Sequence, residues 1–502
     1  MNDKILYALY KTSLQKIADI KYASAVLQWD QETYLPKNSH DVRGRQIATL
    51  NELAHEKFTD KNFGNLLREL SGKYDLQEKE KRNVQLSLED FNKSKKLPSA
   101  FVRQMSEAVN KSFHAWVEAR RQNDFNIFKD PLQEIITLKQ QEAELIGYNN
   151  HPYDALMDEY DKGLTTAITD KLFADLKPQL TELLSEISTQ PVSDASILHQ
   201  HFPKDKQWET GIEILKRMHF NFDAGRQDIS EHPFTTSFGN TDVRVTTRVD
   251  ENDFSNMLWS CIHEGGHGLY EQGLPAEEYG LPLGEYCSLS IHESQSRLWE
   301  NCVGRSLPFW RHNFPLLKHT FPQQFNNVSV DQFYSAINKV QPSLIRTEAD
   351  EVTYHFHVMI RYEIEKLLIE GSISAKDIPA YWNELYQKFL GVTVPDDVRG
   401  CLQDVHWSHG SFGYFATYSI GSLYAAQFFD AMEKQNADLE TQITAGNNST
   451  VLKWLQDNVY RRGRFYNSED LCFAATGEKL NSKYFMSYVN KKFRAVLNNP
   501  FS

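Results

Sequence analysis

No uninterrupted apolar run approaches the roughly 18 residues a membrane-spanning helix needs, so neither a membrane span nor a membrane partner is expected. Long blocks of one charge are missing too. Lysine and arginine number 54 against 67 aspartate and glutamate, a formal net charge of −13, which argues against nucleic acid or anionic lipid as a partner. Cysteine is scarce: Cys261, Cys287, Cys302, Cys401 and Cys472 are odd in number, scattered, and never spaced C-x-x-C. That argues against a disulfide framework and for a reducing compartment. The amino terminus, MNDKILYALYKTSLQKIADIKYASAVLQW, has no basic leader followed by an apolar block and a small-residue cleavage site. It is expected to form an amphipathic helix of a cytoplasmic protein. No fixed-period repeat or low-complexity linker interrupts the chain. With 40% hydrophobic and 24% charged residues, the composition is that of a folded, packed globular protein, and its 502 residues permit two or three domains or one continuous helical body.

Helical patterning fills most of the sequence. Between Asp130 and Gly147 an aspartate cap precedes Pro131, the apolar residues Leu132, Ile135, Ile136 and Ala143 recur at helical spacing, and Gly147 is a stop signal. Similar patterns cover the regions around 5–20, 80–95, 167–188, 353–370, 421–434 and 480–497. One segment departs from the pattern. From His232 to Val249, strict alternation after Thr241 and a Gly239-Asn240 turn signal predict a hairpin. Period two places Val243, Val245 and Val249 on one face, and Asp242, Arg244, Thr246 and Arg248 on the other, a face that would suit an edge strand in solvent.

The next element carries the densest chemistry. Phe254, Met257, Leu258, Cys261 and Ile262 fall at helical spacing behind a capping residue, which puts His263, Glu264 and His267 of HEGGH on a helix. His263 and His267 are then i and i+4, close enough for their imidazoles to converge on one ion. Glu264 can reach a water on that ion as general base. Gly265 and Gly266 each cost about 1 kcal/mol of helix propensity, which makes sense where something packs closely on that turn. Glu293, on a second predicted helix, is the candidate third ligand. A His, His, Glu set leaves the fourth position of tetrahedral zinc open for water. His292 beside it is expected to support the site rather than ligate. Leu344 to Asp350 is expected to open a helix around a buried Arg346.

The ordered motifs HPF, DVRVT, HEGGH, HESQ, IRTEAD and GCLQDVHW resemble the signature set of the carboxypeptidase Taq family of metallocarboxypeptidases, and LQWDQETYLP at 27–36 and the segment from Trp454 to Phe493 are similar to it as well. The resemblance covers nearly the whole chain. It implies one helical metallocarboxypeptidase domain over 1–502, mainly α, with a deep central groove and a small sheet beside the metal site. It also implies zinc or cobalt, a homodimer, and removal of single C-terminal residues from peptides with a free C-terminus, broadly but with proline disfavoured.

Such an enzyme must recognise a carboxylate, for which a forked guanidinium is best suited. Arg346 is the first candidate and Arg244 the second, with Asp242 and Thr246 in contact with substrate or supporting the hairpin. His406, Tyr414 and Tyr418 are candidate donors to the oxyanion of the tetrahedral intermediate. His355, His357, His409, Asp30 and the tryptophans are expected to be structural. The expected reaction is attack of metal-activated water on the last peptide carbonyl, with Glu264 as general base. An endo-acting oligopeptidase would use the same metal set without a carboxylate clamp. A non-catalytic peptide-binding protein would not need Glu264.

Overall fold

A computed structural model describes residues 3–190 and 193–497. The architecture is mainly α, with one three-stranded sheet. The chain divides into two compact units, each assembled from three segments: Met1–Lys95, Ala195–Ile337 and Ala425–Lys479 in the first, Lys96–Asp194, Asn338–Tyr424 and Leu480–Ser502 in the second. Among the described residues no helix is long and apolar enough to cross a membrane.

The first unit begins with the long helix Asp3–Thr33, whose Leu6, Tyr10, Leu14 and Ile17 recur every three to four residues and bury against Phe63, Leu67, Leu70 and Phe91. The same unit holds the sheet, whose strand order is β1 (Gly225–Ile229), β3 (Val243–Thr247), β2 (Thr235–Ser237). The expected hairpin is the antiparallel pair β2 and β3, with Thr235 opposite Val245 and Ser237 opposite Val243. Gly239 in its turn has φ of 118°, a conformation that side chains with a Cβ rarely adopt.

β3 is nevertheless not an edge strand. β1 pairs with it in parallel, so it lies at the centre of the sheet. The face read as solvated is mixed: Thr246 is fully buried along with Val243 and Val245, while Arg248 is exposed. β1 escaped the pattern because its buried positions are Gln227 and Asp228, polar residues that carry no hydrophobic alternation. Arg226 and Tyr34 satisfy Asp228, and the Gln227 amide reaches Cys261 Sγ at 3.2 Å.

In the second unit, the helix predicted to start at Asp130 begins earlier and spans Asn126–Ile146, with Pro131 inside it. The Asp124 carboxylate accepts from the Asn126 amide at 3.0 Å and starts the helix upstream of the proline. Leu132, Ile135, Ile136 and Ala143 are fully buried, and Gly147 ends the helix at φ 83°. Arg346 does not open a helix as expected. It sits in a single 3-10 turn, Arg346–Glu348, and the helix starts only at Tyr354, behind Asp350, which accepts from the amides of Val352 and Thr353.

Candidate metal centre

The helix Phe254–Gly273 carries HEGGH. Asp253 caps it by accepting from the Ser255 amide at 3.0 Å, and its apolar stripe of Phe254, Met257, Leu258, Cys261 and Ile262 is buried. The sheet packs on this helix from one side, and the helix Leu289–Arg297 crosses it from another. The two glycines of the motif are where neighbours come closest. A Cβ on Gly266 would lie 2.6 Å from the Gln295 carbonyl oxygen, and one on Gly265 would lie 2.6 Å from Leu215. Any side chain at Gly266 would push the crossing helix away, so the propensity lost in the sequence is recovered in a close approach of backbones.

That approach brings Glu293 onto the two histidines. Glu293 Oε2 is 3.6 Å from His263 Nε2 and 3.4 Å from His267 Nε2. These three residues offer ligand atoms that all lie within 4.8 Å of one another. A tetrahedral ion with bonds of about 2.05 Å has ligand-to-ligand edges of roughly 3.3 Å, so the donor set fits a small divalent cation. The remaining ring nitrogens are engaged elsewhere. His263 Nδ1 is 2.9 Å from Glu300 Oε2, and His267 Nδ1 is 2.6 Å from His292 Nδ1. Both Nε2 atoms are thereby left for the shared centre.

A second ring of charge surrounds this one. Arg297 donates to Glu293 Oε1 at 2.7 Å and lies 3.3 Å from Glu300, and Arg305, stacked 3.8 Å from the Trp259 ring centre, holds the other oxygen of Glu300 at 3.1 Å. Burial works against ionising Glu293 and Glu300, yet the arginines and histidines outweigh it and hold both carboxyls well below the usual range. His267 is pushed down to about 3 by burial and by the neighbouring His292, so it is a neutral imidazole at physiological pH. For His263, burial lowers the pKa, but Glu293 and Glu300 prevail and raise it.

Glu264 is buried one residue after His263, and burial lifts its carboxyl above the ordinary range. The Thr235 hydroxyl of β2 donates to Glu264 Oε2 at 2.7 Å. A buried carboxyl with a raised pKa beside the two histidines has the chemistry of a proton acceptor.

Thr235, Glu271, Arg297, Glu300 and Arg305 were not singled out in the sequence. Glu300 lies in a π-helical segment, Leu298–Gly304, a widened turn with no recognisable sequence pattern. Glu271 and Arg297 offered a signal in their spacing: Glu271 lies one turn after His267, and Arg297 one turn after Glu293.

The candidate arginines are already paired. Arg244 donates to both oxygens of Asp242 at 3.0 and 2.9 Å, with its guanidinium 4.2 Å from the Trp29 ring centre and 4.9 Å from that of Phe238. Thr246 is inside the sheet, where its hydroxyl receives the Ser230 hydroxyl and the Phe234 amide. In the second unit, Arg346 is buried and donates Nε to Asp404 and Nη1 to Tyr354. Asp404 also receives Arg361 at 2.6 Å. His406 Nε2 is 3.1 Å from the Tyr418 hydroxyl, and its Nδ1 is buried with no hydrogen-bond partner among the described residues. Burial and Arg346 push His406 down to about 3. Tyr414 packs on the His406 and Tyr160 rings, with centroids at 5.3 and 5.1 Å. His355 and His357 are buried on Ser419 and Tyr386, His409 stacks on Phe113, and Asp30 pairs with Arg43.

The family model for carboxypeptidase Taq (M32) metallopeptidases matches residues 9–493. Carboxypeptidase 1 of Bacillus subtilis is 37% identical over 482 residues, 96% of this chain and 96% of that protein. An M32 carboxypeptidase structure from Deinococcus radiodurans R1 has a TM-score of 0.96 at 38% identity, covering 98% of this chain and 99% of the other. A structure known as that of CHT has a TM-score of 0.95 at 56% identity, over 97% and 99%. On this similarity along its whole length, the chain belongs to the carboxypeptidase Taq (M32) family and is a metallocarboxypeptidase.

Proposed function

We propose that His263, His267 and Glu293 hold the divalent cation that membership in a metallopeptidase family implies, that it is zinc with cobalt as a substitute, and that Glu264 is the general base. One observation carries this reading: both Nε2 atoms and one Glu293 oxygen face a common point, with Glu264 buried beside it. When bound, the cation acidifies water and polarises a carbonyl. Glu264 takes the proton of the attacking water and delivers it to the leaving amine, while Thr235 keeps the carboxylate oriented.

The proposed substrates are peptides with a free C-terminus, shortened one residue at a time with broad preference and poor acceptance of proline. Arg346 and Arg244 are the candidates for the terminal carboxylate, Asp242 supports Arg244, Thr246 holds the hairpin through Ser230 and Phe234, and His406, Tyr414 and Tyr418 are the candidate oxyanion donors. A cytoplasmic homodimer, with 1–502 working as one catalytic body, completes the proposal. The interleaving of the two units along the chain supports that last point.

The test is hydrolysis of a short peptide beside its C-terminal amide, with metal content measured on the same preparation and Glu264→Gln as control. Stepwise loss of residues from the free acid alone, abolished in the variant while metal stays bound, establishes the proposal. Internal cleavage of both peptides would favour an endo-acting oligopeptidase, and bound metal without cleavage of either would favour a peptide-binding protein.

A further inference from the structure

His263, His267 and Glu271 follow one another at four-residue intervals along one face of the helix Phe254–Gly273, and His292 of the crossing helix stands against the last two. Its Nδ1 is 2.6 Å from His267 Nδ1, and its Nε2 is 2.9 Å from Glu271 Oε1. The rings of Tyr270 and Tyr286 flank it at 5.4 and 4.9 Å, and Glu271 is buried. The hydrogens of this chain of contacts follow from valence. Two ring nitrogens at 2.6 Å share one hydrogen, and a carboxylate can only accept. With the His292 ring neutral, its one proton is on Nε2, directed at Glu271, and Nδ1 presents a lone pair. The shared hydrogen then belongs to His267 Nδ1, which leaves the lone pair of His267 on Nε2, the atom facing Glu293.

We propose that Glu271 and His292 are positioning residues that act as a two-step relay on His267, fixing its tautomer and ring orientation and so controlling how long the metal is retained. The inference rests on His267 being a ligand. His263 receives the equivalent support in one step, directly from Glu300. The two histidines are thus held by separate carboxylates, Glu300 for one and Glu271 through an imidazole for the other. A residue that only packed the two helices together would need neither the proton order nor the buried acceptor at its end. Glu271 acts only through His292, so removing either should have the same consequence at the metal.

The test is the release of zinc from the full-length protein into an excess of a strong chelator, with the thermal midpoint of each metal-free protein measured alongside. Glu271→Gln and His292→Phe should each release zinc about 10- to 100-fold faster than the parent. His292→Asn, whose amide oxygen can accept where Nδ1 did, should be intermediate. Glu271→Gln combined with His292→Phe should release no faster than His292→Phe alone, whereas Glu271→Gln combined with Glu300→Gln should multiply the two single effects. Release from Glu271→Gln within two-fold of the parent would overturn the relay, as would multiplicative effects of the Glu271 and His292 changes. Since Glu271→Gln alters no volume, that arm stands even where His292→Phe fails to fold. His267→Ala separates the two levels: if it keeps its zinc, the ligand assignment falls and the relay with it. If it loses zinc while Glu271→Gln behaves as the parent, only the relay falls.

Discussion

The hydroxyl of Thr235 is 2.7 Å from Glu264 Oε2 and 3.1 Å from the Glu264 carbonyl oxygen, so one side chain of β2 ties both ends of the proposed base. A hydrogen bond to a charged group is worth about 1.5–3 kcal/mol. Thr235→Val should therefore lower kcat by roughly 10- to 100-fold with metal content unchanged, and Thr235→Ser should recover most of it. Steady-state kinetics with metal analysis on the same samples checks this.

Glu264→Gln removes the proposed proton acceptor and keeps the shape. kcat should fall by about 10²- to 10⁴-fold, as for loss of a general base. Metal affinity by chelator competition should stay near that of the parent, because Glu264 is outside the His263, His267 and Glu293 set.

Among the described residues, Asp404 is the one carboxylate paired with two buried guanidiniums, Arg346 and Arg361. Burial opposes its ionisation, yet Arg361 and Arg346 hold it well below the usual range. Asp404→Asn strands both cations and should cost about 3–5 kcal/mol of stability. Arg346→Ala leaves Asp404 with Arg361 and should cost less. Denaturant unfolding of the two variants gives the order, and the reverse order would show that Arg346 is the main support.

Glu365 should make the second unit less stable as pH rises. It is fully buried, receives Tyr153, Trp407 Nε1 and the Gly413 amide, and burial pushes its carboxyl up to about 7. Between about 4.5 and 7 the folded state binds a proton that the unfolded state has released, so its contribution to stability falls across that window, by about 3 kcal/mol in all. Glu365→Gln cannot ionise. Whatever its stability deficit at pH 5, the gap to the parent should narrow by pH 8 in calorimetry, and a constant gap would contradict the assignment.

The sequence made the helical class legible through periodicity, as in Leu132, Ile135, Ile136 and Ala143, all buried. It also made the clustering of His263, His267 and Glu293 legible, because i, i+4 spacing on one helix and a second helix downstream constrain geometry strongly. What it hid depends on tertiary packing. β1 buries Gln227 and Asp228, polar residues satisfied from distant elements, so no hydrophobic pattern marks it. Glu300 and Arg305 reach the site through a π turn, and Thr235 reaches it across a sheet; none of these relationships has a fixed spacing. Arg346 was legible as a residue but its partner was not, since Asp404 is 58 positions away.

The close crossing at Gly266 also bears on how the protein matures. With two adjacent glycines, the helix that carries both histidines is poor at forming alone, by about 2 kcal/mol relative to alanine at those positions. It is held by its neighbours: a backbone carbonyl of the Glu293 helix on one side and Leu215 on the other. The convergence of His263, His267 and Glu293 therefore depends on the docking of the surrounding helices, which two missing methyl groups make possible.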